Sequence, residues 1–574
     1  MRIPLCFFAS LLVVSSLLAE RVSVTLLATT DLHGNIYPVD YFTGKPVDRG
    51  LAKLASLIRQ VREENPNTLL IDNGDTIQGA PIESLYQQYV RTGRLPLNLQ
   101  FAGPPLSGDP MMLVMNHLGF EAMVLGNHEF NFGLRNLEKA RAEARFPWLS
   151  ANTEITPGGS AKPFEPYLVK TIAGVKVAVI GITTPAVSTW EKPENYGSYR
   201  FQPGKEAAEK AVAALRSERP DVVVASIHAG LDRDLKTGQF RSGGASGENM
   251  VYSIAAAVPG IDAIVFGHTH QEVAGHRIGD VLLVQPKNWG ISMARLDFVL
   301  EREAGQPFKL VEKRSRLLPA GPATPADPEV LRIARPYHEL TERYLDTQVA
   351  TSPAPLSGAL GRVEDSAVVD AVHAVQLHFT KADVSFTALF NPRVEIRKGP
   401  LTVREIVSLY VYDNDLYAVE GTGKTVKDAL ENAARYFISC QGQSCSEGPL
   451  TNPRVLGFNY DMAQGVDYEI DLTRPEGDRI QKLQFQGQPL LPHQRLRIAI
   501  NNYRAAGSAG YSMFRDAKVV WRSSVDMRDL MIQYFMENKT LRAQPDHNWR
   551  IVPREAAETL KNQALKDAAR PQSQ

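Results

Sequence analysis

The chain has 574 residues, with 63 Lys+Arg against 63 Asp+Glu, a balance that excludes a nucleic-acid coat, a polybasic membrane binder and an acidic disordered tail. At 44% hydrophobic and 22% charged it has the apolar content of an ordinary globular protein, and its length predicts two or more domains.

Arg2, an apolar run over residues 3–18 and Ala19 before Glu20 and Arg21 have the layout of a secretory signal peptide cleaved near Ala19. The other reading is a single membrane anchor of about the minimum spanning length. No later stretch approaches about 18 uninterrupted apolar residues, so the expected mature protein is periplasmic and monomeric, without stable membrane association and without a nucleic-acid polymer as partner. The 3 cysteines, Cys6, Cys440 and Cys445, are too few for a disulfide scaffold or a thiolate zinc site. Export leaves Cys440 and Cys445 as either a small disulfide loop or two free thiols.

From Val22 short runs of Val, Ile and Leu alternate with segments of helical spacing, which predicts an α/β domain. The ends of those runs are polar. Residues 22–28 lead into Thr29-Thr30-Asp31-Leu32-His33, residues 68–71 into Asp72-Asn73-Gly74-Asp75, and residues 122–125 into Gly126-Asn127-His128-Glu129. Residues 222–227 lead into His228, and residues 263–266 into Gly267-His268-Thr269-His270. Each buried strand thus delivers polar groups at its carboxyl end, where α/β folds place their sites.

This domain is expected over residues 20–325, ending in the Pro-rich stretch 319–325. A linker over 326–352 carries a helix at 327–347, broken or kinked at Pro336. A second α/β domain follows over 353–553, with helices at 366–379, 403–409 and 425–437 and strands at 416–420, 468–472 and 496–501. Residues 554–574 form a polar, Ala-rich tail with no apolar partner face, expected as a frayed helix or disordered.

Asp31, His33, Asp75, Asn127, His228, His268 and His270 are carboxylate, imidazole and amide groups without a thiolate. Such a set suits Mn, Fe, Co, Ni or Zn better than the all-oxygen cage of Ca. An Asp-x-His or His-x-His pair on an extended segment points both side chains to one face. Two such pairs with a third carboxylate between them can hold two ions.

These motifs resemble the calcineurin-like metallophosphatase superfamily, and more closely the secreted 5'-nucleotidase and 2',3'-cyclic-nucleotide phosphodiesterase family, through residues 28–34, 72–79 and 126–133. The resemblance extends through the second domain. It implies a four-layer αββα sandwich followed by a linker helix and a nucleotide-binding α/β domain. It also implies two divalent metal ions (Mn, Zn, Co or Fe), one held by Asp31, His33, Asp75 and His270, the other by Asp75, Asn127, His228 and His268, with Asp75 bridging. Two cations about 3.5 to 4 Å apart polarise a phosphoryl group and lower the pKa of a shared water toward about 7, so hydroxide is the expected nucleophile. His128 is placed beside the phosphate, to stabilise transition-state charge or protonate the leaving alkoxide.

Two departures direct the substrate reading. The 5'-nucleotidase branch has an Asp three residues after that histidine to orient it, where this chain has Asn131. That branch also has a Gly-rich loop carrying Arg residues, where residues 387–393 read Thr-Ala-Leu-Phe-Asn-Pro-Arg; Arg393 and Arg397 are the arginines that could approach the cleft. Both departures favour a 2',3'-cyclic-nucleotide 2'-phosphodiesterase/3'-nucleotidase over the alternative of a 5'-nucleotidase or nucleotide-sugar pyrophosphatase. The third reading, a non-catalytic nucleotide-binding protein, sits poorly with seven intact ligands. The resemblance places Tyr412 and Tyr503 as the rings that sandwich the base of a nucleotide or cyclic-nucleotide substrate, with Asn414 and Asn502 as polar contacts.

Overall fold

The computed structural model describes residues 19–101, 106–159, 161–241, 247–442, 444–542 and 544–569. Apart from Ala19, the expected signal peptide lies outside them.

The first strand, Glu20–Thr29, alternates faces as extended chain must. Val24, Leu26 and Ala28 enter one apolar core, whereas Leu27 enters another. It is the third strand of a six-stranded sheet in the order Lys309–Pro319, Ser292–Arg302, Glu20–Thr29, Thr68–Asp72, Ala122–Val124, Trp148–Leu149. A second six-stranded sheet runs Val273–Ile278, Val281–Gln285, Ala263–Phe266, Val222–His228, Val175–Thr183, Tyr167–Ile172. The two sheets close face to face over Leu26, Ile71 and Val124 on one side and Val179, Val224 and Val265 on the other. Helices Leu51–Glu64 and Pro110–Leu118 cover the outer face of the first sheet, and Gly204–Leu215 and Val251–Ala257 cover that of the second. This is the αββα sandwich the motifs imply. The central strands of each sheet run parallel, so their carboxyl ends, and the polar residues after them, open on one edge.

The linker helix, Pro328–Leu345, is continuous through Pro336, so of the break and the kink expected there the break does not occur. Pro336 removes one backbone hydrogen bond. The face formed by Val330, Ala334, Tyr337, Leu340, Thr341 and Tyr344 is buried against helices Pro81–Thr92 and Pro110–Leu118, and this packing outweighs the loss. The Asp327 carboxylate caps the helix start, accepting from the amides of Glu329 and Val330 at 2.9 and 3.1 Å.

The second unit centres on a five-stranded sheet, Asp461–Gln464, Val384–Ala388, Arg495–Asn501, Asp415–Thr422, Val519–Asp526, packed by helix Ala367–Thr380. A four-stranded sheet adjoins it, and a disulfide joins Cys440 to Cys445. The tail differs from its expectation. Residues Arg554–Ala569 form a helix that buries Ala556 and Leu560, at 0% and 1% exposure. Their four-residue spacing is one helical face, too sparse to stand out in an otherwise polar segment.

The second unit sits on the open edge of the sandwich. Lys192 pairs with Asp415 at 2.7 Å, Gln88 donates to Asp529 at 3.0 Å, and Arg404 donates to the Tyr41 carbonyl at 2.7 Å. Among the described residues no helix is long and apolar enough to cross a membrane.

Candidate metal centre and active site

The strand ends bring six of the seven motif residues together in two groups. Asp31, His33 and His270 form one cluster, and Asp75, His228 and His268 another, the ligand atoms of each lying within 4.8 Å of one another. Asp75 connects them: its Oδ2 is 3.0 Å from His228 Nε2 and 3.9 Å from His33 Nε2. Its Oδ1 accepts from the His128 amide at 2.8 Å. Asn127 supplies a different clue. Its Oδ1 is buried without a hydrogen-bond partner, a costly state for an amide oxygen unless a cation meets it.

The local backbone is strained to achieve this. Asp31, His33, Asp75, His268 and His270 all have φ between 47° and 69°, a region that non-glycine residues seldom adopt and that clusters at functional sites. The chain turns sharply there, so that side chains leaving the strand ends converge. At Gly267 an added Cβ would lie 2.6 Å from the Asp31 carboxylate, so only glycine fits.

Three of the four imidazoles are held by their other nitrogen. His33 Nδ1 donates to the Gln78 carbonyl at 2.8 Å and His228 Nδ1 to the Asn73 carbonyl at 2.7 Å, which leaves both Nε2 atoms facing the centre. His268 Nε2 lies 3.1 Å from Glu248 Oε1, an arrangement that leaves its Nδ1 as the ligand nitrogen. His33 and His270 bring their Nε2 atoms to 3.1 Å of each other, as donors to a common ion do. The donor set therefore fits two divalent cations.

The charges are coupled. Burial would raise the Asp75 carboxyl, but the His228 and His128 imidazoles beside it hold it well below the usual range. Burial would likewise depress His228, yet the adjacent Asp75 lifts it to about 10. Burial takes His33 down to about 4 and also lowers His128.

Two supporting carboxylates sit inside motifs noted in the sequence, although their role is visible only in space. Glu129 accepts from the amides of Gly126, Asp75 and Thr76 at 2.7, 3.0 and 2.6 Å, tying the Asn127 turn to the Asp75 turn. Burial pushes it up to about 7. Asp72 accepts from Thr29, Gly74 and Thr76 at 2.5, 2.9 and 2.6 Å, and burial pushes it up to about 6.

His128 projects Nε2 to 4.0 Å from Asp75 Oδ2, and its Nδ1 lies 2.6 Å from Asn131 Oδ1. Asn131 passes its amide hydrogens on to Glu191 at 2.6 Å. The carboxylate that the sequence reading treats as lost at 131 is thus supplied from a distant segment.

The two tyrosines expected to hold the base have aromatic neighbours of their own. Tyr503 stacks on Trp190 at 6.3 Å, and Trp190 stacks on His268 at 5.5 Å. Tyr412 instead stands edge-on to Phe390 at 5.0 Å and to Phe458 at 6.4 Å, and it is 42% exposed. Asn502 donates to the Trp190 carbonyl at 3.2 Å and accepts from the Asp415 amide at 3.1 Å, so it joins the two units. Asn414 is buried and donates to the Tyr410 hydroxyl at 3.2 Å. Arg393 and Arg397 are exposed. Trp190, Glu191 and Phe458 lie outside every motif read from the sequence.

Residues 24–272 match the family model for calcineurin-like phosphoesterase, and residues 348–516 match the 5'-nucleotidase C-terminal domain. A 2',3'-cyclic-nucleotide 2'-phosphodiesterase/3'-nucleotidase of Yersinia enterocolitica is 30% identical over 96% of this chain and 91% of its own length. The trifunctional nucleotide phosphoesterase protein YfkN of Bacillus subtilis is 31% identical over 93% of this chain, which spans 39% of that longer protein. A Staphylococcus aureus structure described as a 5'-nucleotidase with alpha-ketoglutarate superposes with a TM-score of 0.79 at 26% identity, covering 92% of this chain and 100% of that one. The chain belongs to the 2',3'-cyclic-nucleotide 2'-phosphodiesterase/3'-nucleotidase family, with a calcineurin-like metallophosphatase domain followed by a 5'-nucleotidase C-terminal domain.

Proposed function

We propose that this protein is a periplasmic enzyme that opens 2',3'-cyclic nucleotides to 3'-nucleotides and then hydrolyses 3'-nucleotides to nucleoside and phosphate. The observation that carries the reading is the pair of ligand clusters linked by Asp75, with His128 beside them and the second unit's Tyr503 reaching the same edge. The family resemblance supplies the substrate class.

Asp31, His33, Asp75 and His270 would hold one divalent ion, and Asp75, Asn127, His228 and His268 the other. When bound, such a pair polarises a phosphoryl group and makes hydroxide available near neutral pH. The chain's own residues do the rest. The Gln78 and Asn73 carbonyls fix the His33 and His228 rings. Glu129 keeps the Asp75 and Asn127 turns in register.

His128 is the proton donor in both steps. In the first, an oxygen from water bonds to phosphorus as the bond to the 2' oxygen breaks, and that oxygen takes the His128 proton; in the second, a second water oxygen bonds to phosphorus and the bond to the 3' oxygen breaks in the same way. Burial keeps an isolated His128 low, and the negative charge of a bound phosphate favours its protonated form. Tyr503 and Tyr412 are the rings that would hold a base, and stacking tolerates any base.

The same S. aureus likeness supports a second reading, a 5'-nucleotidase, against which Asn131 and the absent Gly-rich loop stand. Product chromatography after incubation with 2',3'-cyclic AMP, 3'-AMP and 5'-AMP separates the two. The expected outcome is cyclic AMP passing through 3'-AMP to adenosine, with 5'-AMP turned over far more slowly. Preferred hydrolysis of 5'-AMP would overturn the reading.

A further inference from the structure

Between strands Val175–Thr183 and Tyr199–Phe201, three consecutive residues touch three parts of the site. Trp190 stacks on His268, and Lys192 pairs with Asp415 of the second unit at 2.7 Å. Between them Glu191 turns toward the sandwich. Its Oε1 accepts from the Lys192 amide at 2.7 Å and from Asn195 Nδ2 at 2.9 Å, and its Oε2 accepts from Asn131 Nδ2 at 2.6 Å. Asn131 Oδ1 lies 2.6 Å from His128 Nδ1.

These bonds allow one arrangement of protons. A carboxylate only accepts, so Asn131 turns its amide hydrogens toward Glu191 and its carbonyl oxygen toward His128. That oxygen also only accepts, so His128 keeps a proton on Nδ1 in either charge state and presents Nε2, the nitrogen that gains and gives the transferred proton, to the side of Asp75, 4.0 Å away. If Asn131 were reversed, a donor would face Nδ1 and the imidazole would have to adopt the other tautomer or turn away. Nothing local to Asn131 decides between its two orientations; Glu191 does.

We propose that Glu191 is a positioning residue for His128, acting through Asn131 to set the tautomer and direction of the imidazole. This rests on the reading of His128 as the group that acts on the leaving oxygen. It assigns a role to a residue some sixty positions away in the chain, and it explains why an amide rather than a carboxylate occupies position 131: a carboxylate there would face the carboxylate of Glu191.

The test is an exchange of chemistry between the two positions. In Glu191→Gln the side-chain oxygen must stay with the Lys192 and Asn195 donors, so its NH2 confronts that of Asn131 and drives the reversal. In Asn131→Asp two carboxylates oppose each other. In the double variant Asn131→Asp/Glu191→Gln the new amide donates to the new carboxylate, whose other oxygen still accepts from His128 Nδ1, and every donor again meets an acceptor. Each single variant should lower kcat on 3'-AMP by roughly 10- to 100-fold, the range for partners that orient a functional group, with little change in KM and unchanged bound metal. The double variant should recover most of the parent rate. In a His128→Ala background, Glu191→Gln should cause no further loss, because the two act as one unit.

A double variant no better than the singles, an Asn131→Asp variant as active as the parent, or an equal loss from Glu191→Gln with and without His128 would each overturn the relay while leaving the role of His128 standing. Parent-like activity of His128→Ala would overturn that role itself, and the relay with it.

Discussion

His228 Nε2 lies 3.0 Å from Asp75 Oδ2, and the two residues come from different sheets: Asp75 follows strand Thr68–Asp72 of the first, and His228 ends strand Val222–His228 of the second. The site is therefore a seam. Its geometry depends on how the sheets pack, and the apolar contacts of Ile71, Val124, Val224 and Val265 beneath it set the separation of the ligands.

His128→Ala should reduce turnover of 3'-AMP by about 10²- to 10⁴-fold while bound metal stays at the parent level, as expected for loss of a general acid outside both coordination spheres. Metal analysis alongside the kinetics checks this. Loss of metal would instead make His128 a ligand.

Tyr503→Ala should weaken use of nucleotides by roughly 1–3 kcal/mol, the worth of one stacking face, while sparing bis(4-nitrophenyl) phosphate, which has no base to stack. Tyr412→Ala should behave in the same direction. An equal loss on both substrates would point to damage passed through Trp190 to His268, since these rings are stacked.

The residues of the two candidate ligand clusters were legible because each lies at or just after the end of an apolar run, and the strand brings its own polar terminus to the sheet edge. The αββα layering was legible for the same reason, since parallel strands buried on both faces read as continuous runs of Val, Ile and Leu. Glu191 and Trp190 were not. They sit at the end of the short helix Val187–Trp190, whose approach to His128 and His268 depends on the path of the intervening chain, and no local pattern records that path. At Pro336 local propensity argues for a break, whereas burial of Tyr337 and Leu340 on the same helix keeps the helix continuous. The terminal helix misled because its buried face consists chiefly of Ala556 and Leu560, a small apolar signal among charges.

His373 gives the second unit a pH-sensitive point. It is 1% exposed, its Nδ1 donates to Ser385 Oγ at 2.9 Å, and burial takes its pKa down to about 3. The unfolded chain binds this proton near pH 6.5 and the folded chain does not, so the stabilisation is complete above about 6.5 and is lost as pH falls toward about 3. Between pH 7.5 and 5.5, unfolding free energy should fall by about 1.4 kcal/mol less in His373→Gln than in the parent. Urea titrations at the two pH values measure the difference, and parallel losses would contradict it.

Leu560→Ala should destabilise the second unit by about 2–5 kcal/mol, the cost of emptying a buried leucine site, with kcat unchanged. A thermal shift of negligible size would mean that the terminal helix is peripheral to folding.

The central claim is that the strand-end residues form a two-ion centre bridged by Asp75. Elemental analysis and hydrolysis of 2',3'-cyclic AMP, measured together on the parent, the chelator-treated parent and Asp75→Asn, test it most directly. The account predicts about two divalent ions per chain in the active parent, loss of activity on chelation with recovery on adding Mn, Co or Zn, and both metal and activity lost in Asp75→Asn. Full activity in metal-free protein, or an Asp75→Asn variant that keeps both ions and the parent rate, would contradict it.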